Sequence, residues 1–231
     1  MKRFWKDSAV ELAEGGWTVA LDGRAVRTPA RHALVVASRP LAQAIAEEWR
    51  SASDEIDPRA MPLTGLANAA IDRVAVDRAG FAAGLARYAQ ADLACYRSHG
   101  PKPLADRQEE QWNALLGWAR QRFKVEFATT TAITHVAQPP ATIDTLANAV
   151  GALDPFRLAG LSPLVTIGGS LVAALAVLER AVSPEDAWAA VTVDEQWQSE
   201  KWGEDADAQA ALEGRRREFM AAARFLELLE R

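Results

Sequence analysis

The segment GWTVALDGRAVRT, Gly16 to Thr28, limits the possible folds more than any other stretch. Trp17, Val19 and Leu21 alternate with smaller or polar residues, Asp22-Gly23 interrupts, and Val26 follows on the far side. Alternation at period two places one set of side chains on one strand face. Asp-Gly tolerates the positive φ angles of a tight hairpin turn. AVEL before Gly15-Gly16 and HALVV after Pro29 add further extended pieces. A small antiparallel sheet is therefore predicted at the N-terminus.

Beyond about forty residues the hydrophobic period changes to that of a helix. Ser38 can cap a helix with Pro40 in its first turn, and Leu41, Ile45 and Trp49 share one side of it. EIDPRAMPL is a proline-punctuated linker, so residues 1–55 are expected to form a β-rich domain with one helix and residues 56–231 a helical domain. Leu63, Leu66, Ala67, Ala70, Ile71 and Val74 recur at helical spacing, as do Trp112, Leu115, Leu116, Ala119 and Phe123. Ile143, Leu146, Ala147 and Val150 mark another helix, and KVEFATTTAI holds a brief extended piece. LSPLVTIGGSLVAALAVL, Leu161 to Leu178, contains a proline and a glycine pair and is short for a membrane span; it reads as one buried core helix. The fold class is α+β.

Composition narrows the function. With 231 residues, 49% hydrophobic and 25% charged, the chain has ordinary globular make-up and enough length for a substantial core. A net charge of −5 supplies no general field for a nucleic-acid backbone, and Arg215, Arg216 and Arg217 read as a solvated helix face. One cysteine, Cys95, excludes an internal disulfide and fits a reducing compartment. The opening MKRFWKDSAVELAE has neither the apolar run of a secretory signal nor the acid-poor character of a transit peptide. A soluble protein of a bacterial cytoplasm is expected, or of the mitochondrial matrix in a eukaryote.

Catalytic machinery is hard to assemble. His32, His99 and His135 are far apart in sequence, without HxxxH or HExxH spacing, and no zinc pattern exists. Asp205-Ala-Asp207 opens like a calcium loop, but the glycine is missing and Arg216 occupies the place of the bidentate glutamate. Gly168-Gly169-Ser170 is not a GxSxG elbow, because Val172 stands where the last glycine belongs. Asp92 lies on an apolar stripe with Tyr88 and Tyr96. As a buried acid it would need partners, which Arg97 or the tyrosine hydroxyls could supply.

One stretch remains unexplained by a simple core. VDEQWQSEKWGEDAD, Val193 to Asp207, sets two tryptophans among acids. Ser183-Pro184-Glu185-Asp186 signals a helix start and Gly203 a stop, which predicts one continuous helix of about nineteen residues and roughly 28 Å. On its wheel Trp188, Val191, Glu195 and Trp202 fall on one side, with Val193, Trp197 and Lys201 near the other. An amphipathic surface helix has one apolar stripe. Tryptophan on both sides is consistent with one side meeting the core and the other a partner, since buried rings dominate interface energetics. Charges that merely solvate a core helix give an equally open reading.

LDGRAVRTP, LAQAIAEEW, MPLTGLANAAIDRV, ADLACYRS, GGSLVAALAV and VDEQWQSEKWGEDADA together resemble the F-type ATP synthase assembly chaperone family over nearly the full length. Ala91, Ala94 and Ile167-Gly168 depart from the expected pattern in ways that touch packing. The resemblance implies a small β domain before a larger helical one, no enzymatic activity and no cofactor or metal. It also implies an ATP-independent chaperone that binds the unassembled alpha subunit of the synthase's soluble head and prevents its aggregation until the beta subunit pairs with it. Glu204 is the best single candidate contact in the acidic WGED element, with Trp202, Asp205, Trp197 and Glu195 beside it, and Asp92 as a structural buried acid. The alternatives are a small acid-base enzyme using Asp92 or the Glu195 and Glu200 pair, and a permanent structural subunit.

Overall fold

Strands β1 (Ser8–Ala13) and β2 (Gly16–Leu21) pair antiparallel from Ser8 opposite Leu21 to Ala13 opposite Gly16. The chain then turns back through Asp22 and Gly23, at φ 47° and 76°, into β3 (Arg24–Ala25) on the other side of β2. Positive φ at both turn residues gives the twist that a two-residue hairpin requires, so the Asp-Gly expectation holds. β4 (Val35–Val36) also pairs antiparallel with β2, opposite Trp17 and Thr18. Four strands precede ten helices in this computed structural model, which describes residues 2–203 and 205–230, and the class is α+β.

The first compact unit comprises Met1–Arg78, Asp154–Gly160 and Arg224–Arg231. Helix α1 (Arg39–Ser51) covers the sheet with Leu41, Ala42, Ile45 and Ala46, all buried, and is capped by Ser38 Oγ accepting from Leu41 N at 3.2 Å. These residues join Trp5, Val19, Leu21, Leu34 and Val36 in one core, into which Leu63 and Ala67 of α2 (Pro62–Ala69) and Phe225 also pack. Glu48 reaches from α1 to the start of α2, where its carboxylate accepts from Leu63 N, Thr64 N and Thr64 Oγ1 at 2.7–2.8 Å. Gly160 permits close packing in this unit, since a Cβ there would meet Leu226 Cδ2 at 2.6 Å.

The second unit comprises Ala79–Leu153 and Leu161–Ala223. It is helical: α3 (Arg78–Ala86), α4 (Lys102–Phe123), α5 (Pro140–Gly151), most of α6 (Pro155–Gly168), α7 (Leu171–Leu178), α8 (Pro184–Val191), α9 (Val193–Trp202) and the larger part of α10 (Ala206–Leu229). Trp112, Leu115, Leu116 and Ala119 of α4 pack on α7, whose residues are nearly all buried. The expected extended piece is a parallel bridge between Tyr96 and Thr130. Among the described residues no helix is long and apolar enough to cross a membrane.

Two expected helices are each broken in two. The apolar run divides at Gly169, whose φ of +64° favours glycine, and restarts as α7 with Ser170 as its cap. The Ser183–Trp202 helix divides at Thr192 (φ −118°, ψ 18°), between α8 and α9. There Thr192 donates twice to the carbonyl of Trp188, from N at 3.1 Å and from Oγ1 at 2.7 Å. Redirecting the axis lets Trp188 and Val191 before the break, and Val193 and Trp197 after it, all be buried. One straight helix would have turned one of those pairs outward.

Candidate functional site

Helix α9 is pinned on its inner side. Val193 and Trp197, one turn apart, are buried at 2% and 6% exposure. Over the Trp197 ring stand the guanidinium of Arg107, 5.0 Å from its centroid, and the ammonium of Lys201 at 4.7 Å, where cations meet the negative face of the ring. Glu200 grips Arg107 with two bonds of 2.8 Å. That side-chain pairing raises the Arg107 pKa and lowers that of Glu200. Both groups are solvated, so the pair orients side chains more than it stabilises the fold.

The other acids of the helix also have internal partners. Glu195 meets Arg215 of α10 at 3.2 Å. Asp194 accepts from Gln108 Nε2 at 2.6 Å, while Gln108 Oε1 accepts from Ser98 N at 2.7 Å. Gln108 is buried. An exposed amide rotates, whereas this one is fixed by a partner on each end. Nothing in the spacing of the sequence links Gln108 to Asp194, and it was missed.

Trp202 differs from every other aromatic of this stretch, being 79% exposed. Gly203 follows at φ +87° and ends the helix, its N–H bonding Ser199 O at 3.0 Å. Asp205, also exposed, caps α10 by accepting from Ala208 N at 2.8 Å. Glu204 lies outside the described residues. The structure thus gathers Glu195, Trp197, Trp202 and Asp205 around one helix and its exit, with Trp197 beneath and the other three at the surface.

Asp92 is elsewhere and wholly enclosed. Its Oδ1 accepts from Ser170 Oγ at 2.8 Å and Ala94 N at 3.1 Å, and its Oδ2 from Val172 N at 3.0 Å. Burial raises its pKa, opposed by those hydrogen bonds. Its partners are not those expected from the sequence. Arg97 instead donates to Ala94 O, Gln108 O and Asn113 Oδ1, and the Tyr96 hydroxyl pairs with His135 Nδ1. The correction has a simple cause: the break at Gly169 brings the start of α7 to Asp92, and unsatisfied N–H groups there need an acceptor. Cys95 next to it is buried, its thiol pushed up to about 12 by burial, with the Asp92 charge adding. Among the described residues no group of three or more His, Cys, Asp or Glu is placed to hold a metal ion.

Comparison with known proteins matches residues 2–120 to the family described as ATP12 chaperone protein. The crystal structure of Atp12 from Paracoccus denitrificans is similar at a TM-score of 0.93 and 39% identity, over 99% of this chain and 98% of that one. The Agrobacterium tumefaciens protein Atu1473 gives a TM-score of 0.94 and 36% identity, over 99% and 86% of the two chains. Protein atp12 of Schizosaccharomyces pombe, a mitochondrial protein, is 26% identical over 220 residues, or 90% of this chain and 75% of the relative.

Proposed function

Because the chain belongs to the ATP12 chaperone family of ATP synthase assembly factors, we propose that its client is the unassembled alpha subunit of the F-type synthase's soluble head. It holds that subunit back from aggregation until the beta subunit pairs with it. The observation that carries this reading is Trp202, a tryptophan 79% exposed at the end of a helix whose acids are otherwise engaged internally. A large ring left in water is a binding element in waiting, because its burial supplies area with little loss of rotamer freedom. Asp205 and Glu195 rim it, Glu204 is proposed beside them, and Trp197 holds Arg107 and Lys201 in place from below. Such a patch suits a client face with both apolar and basic groups.

Mass action suffices as mechanism. Binding lowers the free concentration of the sticky subunit, and the beta subunit releases it by occupying the same surface with higher affinity. Neither ATP nor a cofactor enters, and no reaction is catalysed. Asp92, closed to solvent and filled with donors, offers a substrate no approach. The proposed compartment is a bacterial cytoplasm, or the mitochondrial matrix in a eukaryote.

The test is a pull-down with this chain from cells depleted of the beta subunit. Enrichment of unassembled alpha subunit is expected; alpha recovered no better than with an unrelated control would refute the reading. The chain should also be absent from finished synthase, which separates a chaperone from a permanent subunit.

A further inference from the structure

Among the described residues, the second unit leaves two large apolar side chains in solvent, Trp202 at 79% and Ile133 at 104% exposure. Ile133 sits in an irregular loop that is nonetheless held firmly at its base. Gln138, buried at 4%, pairs with both backbone groups of Ala128, its Oε1 accepting from N at 3.0 Å and its Nε2 donating to O at 2.8 Å. Thr130 bonds the backbone of Cys95 and Arg97, and its Oγ1 accepts from Ala132 N at 3.0 Å. The Tyr96 hydroxyl meets His135 Nδ1 at 3.0 Å on the returning limb. A loop ordered in advance loses little entropy when a partner covers it.

The loop forms one wall of an open cleft of about 340 Å³, lined among others by Tyr96, His99, Leu104 and Ile133, with Asp194 and Gln198 contributed by α9. Asp194, Gln198 and Trp202 follow one another at intervals of four residues, so they form a row along one side of the helix, about 12 Å long. Among the described residues Gln108 is the only hydrogen-bond donor to the Asp194 carboxylate, through Oδ1, so Oδ2 is left for an incoming group. Arg97 also borders the cleft, but its guanidinium is committed to Ala94, Gln108 and Asn113.

We propose that the client surface is bipartite: the partner that covers Trp202 continues along this row into the cleft and packs on Ile133. That partner presents apolar side chains at the two ends and a basic side chain to Asp194 between them. The inference rests on the function proposed above, and identifies the alpha subunit's contact by that pattern. Continuity carries it, because one helix face supplies both Trp202 and the acidic wall of the cleft.

The test titrates purified, labelled alpha subunit with the parent chain and with Ile133→Ser, Asp194→Asn, Trp202→Ala and the Ile133→Ser/Trp202→Ala double variant. Ile133→Ser removes no internal packing, so its melting temperature should match that of the parent. Its affinity should fall about tenfold, as expected when one large apolar side chain no longer docks, and the double variant should lose about a hundredfold. Asp194→Asn keeps an acceptor for Gln108 and should weaken binding several-fold while flattening its salt dependence. A benzophenone amino acid at position 133 should cross-link to the alpha subunit. If Ile133→Ser binds like the parent while Trp202→Ala does not, the cleft is no part of the surface and only the reading of α9 survives. A cross-link to a second copy of the chain instead makes this face a self-interface and overturns the proposal. A parent that does not bind alpha at all removes both readings together.

Discussion

Gly169-Ser170 and Thr192 both break a helix at a buried residue, yet the helices that follow start differently. At the first, the new helix starts inside the second unit, so its N–H groups cannot turn to water. Ser170 Oγ takes Ala173 N at 3.0 Å and Asp92 takes Val172 N. At the second, α9 starts with no side-chain cap, its first turn carries Asp194 and Glu195, and the helix ends at the surface with Trp202. The interior break uses a carboxylate to close the fold. The break at Thr192 starts a helix that puts Val193 and Trp197 in the core and ends with Trp202 exposed. An acid beside a new helix start therefore carries a different meaning in the two regions, and its own burial decides between them.

The largest effect should come from the inner side of α9. Trp197→Ala removes a buried ring and the seat of two cations, and should lower stability by about 3–5 kcal/mol in denaturant unfolding. A loss near zero would mean that α9 is not anchored as described. Next, Asp92→Ala strands the N–H groups of Val172 and Ala94 together with the Ser170 hydroxyl, and should cost about 1–3 kcal/mol. An unchanged melting temperature accompanied by lost client binding would make this acid functional rather than structural. Ser170→Ala should cost about 1 kcal/mol through the lost cap.

Smaller still is a pH effect that separates two capping acids. Asp92 is raised by burial, so its contribution is full below its unfolded value and is lost as pH rises through the folded one. Asp154, at the start of α6, is also pushed up by burial, yet the backbone and side-chain bonds from Arg157 leave it lowered. Its contribution is therefore present above the unfolded value and is lost as pH falls through the folded one. Melting curves across the acid range should show Asp154→Asn losing less stability on acidification than the parent. Asp92→Asn should instead flatten the loss on raising the pH. Identical profiles for the two variants would contradict these assignments.

Much of the fold was legible because its signals are local. Asp22-Gly23 could form a tight turn wherever it stood, and Ser38 and Ser183 could cap helices from the residues beside them. The breaks were not legible in the same way. Threonine is tolerated within helices, and Thr192 ends one only because two pairs of bulky residues must be buried on diverging axes. Asp92 was recognisable as an acid on an apolar stripe, but its partners come from a segment 78 and 80 residues further along, which no spacing rule connects. In the candidate site, Gly203 marked where the helix stops but did not say on which side Trp202 would lie. Trp197 was indistinguishable from it until packing placed one inside and one outside.

Trp202→Ala has the smallest expected effect on folding and the most direct bearing on function. The side chain is already in solvent, so the change should alter stability by less than about 0.5 kcal/mol. The decisive measurement is the affinity of this variant for unassembled alpha subunit, compared with the parent at physiological salt and alongside thermal melts of both. About tenfold weaker binding with superimposable melts is expected. Equal affinity would show that the outer side of α9 is not where the client binds.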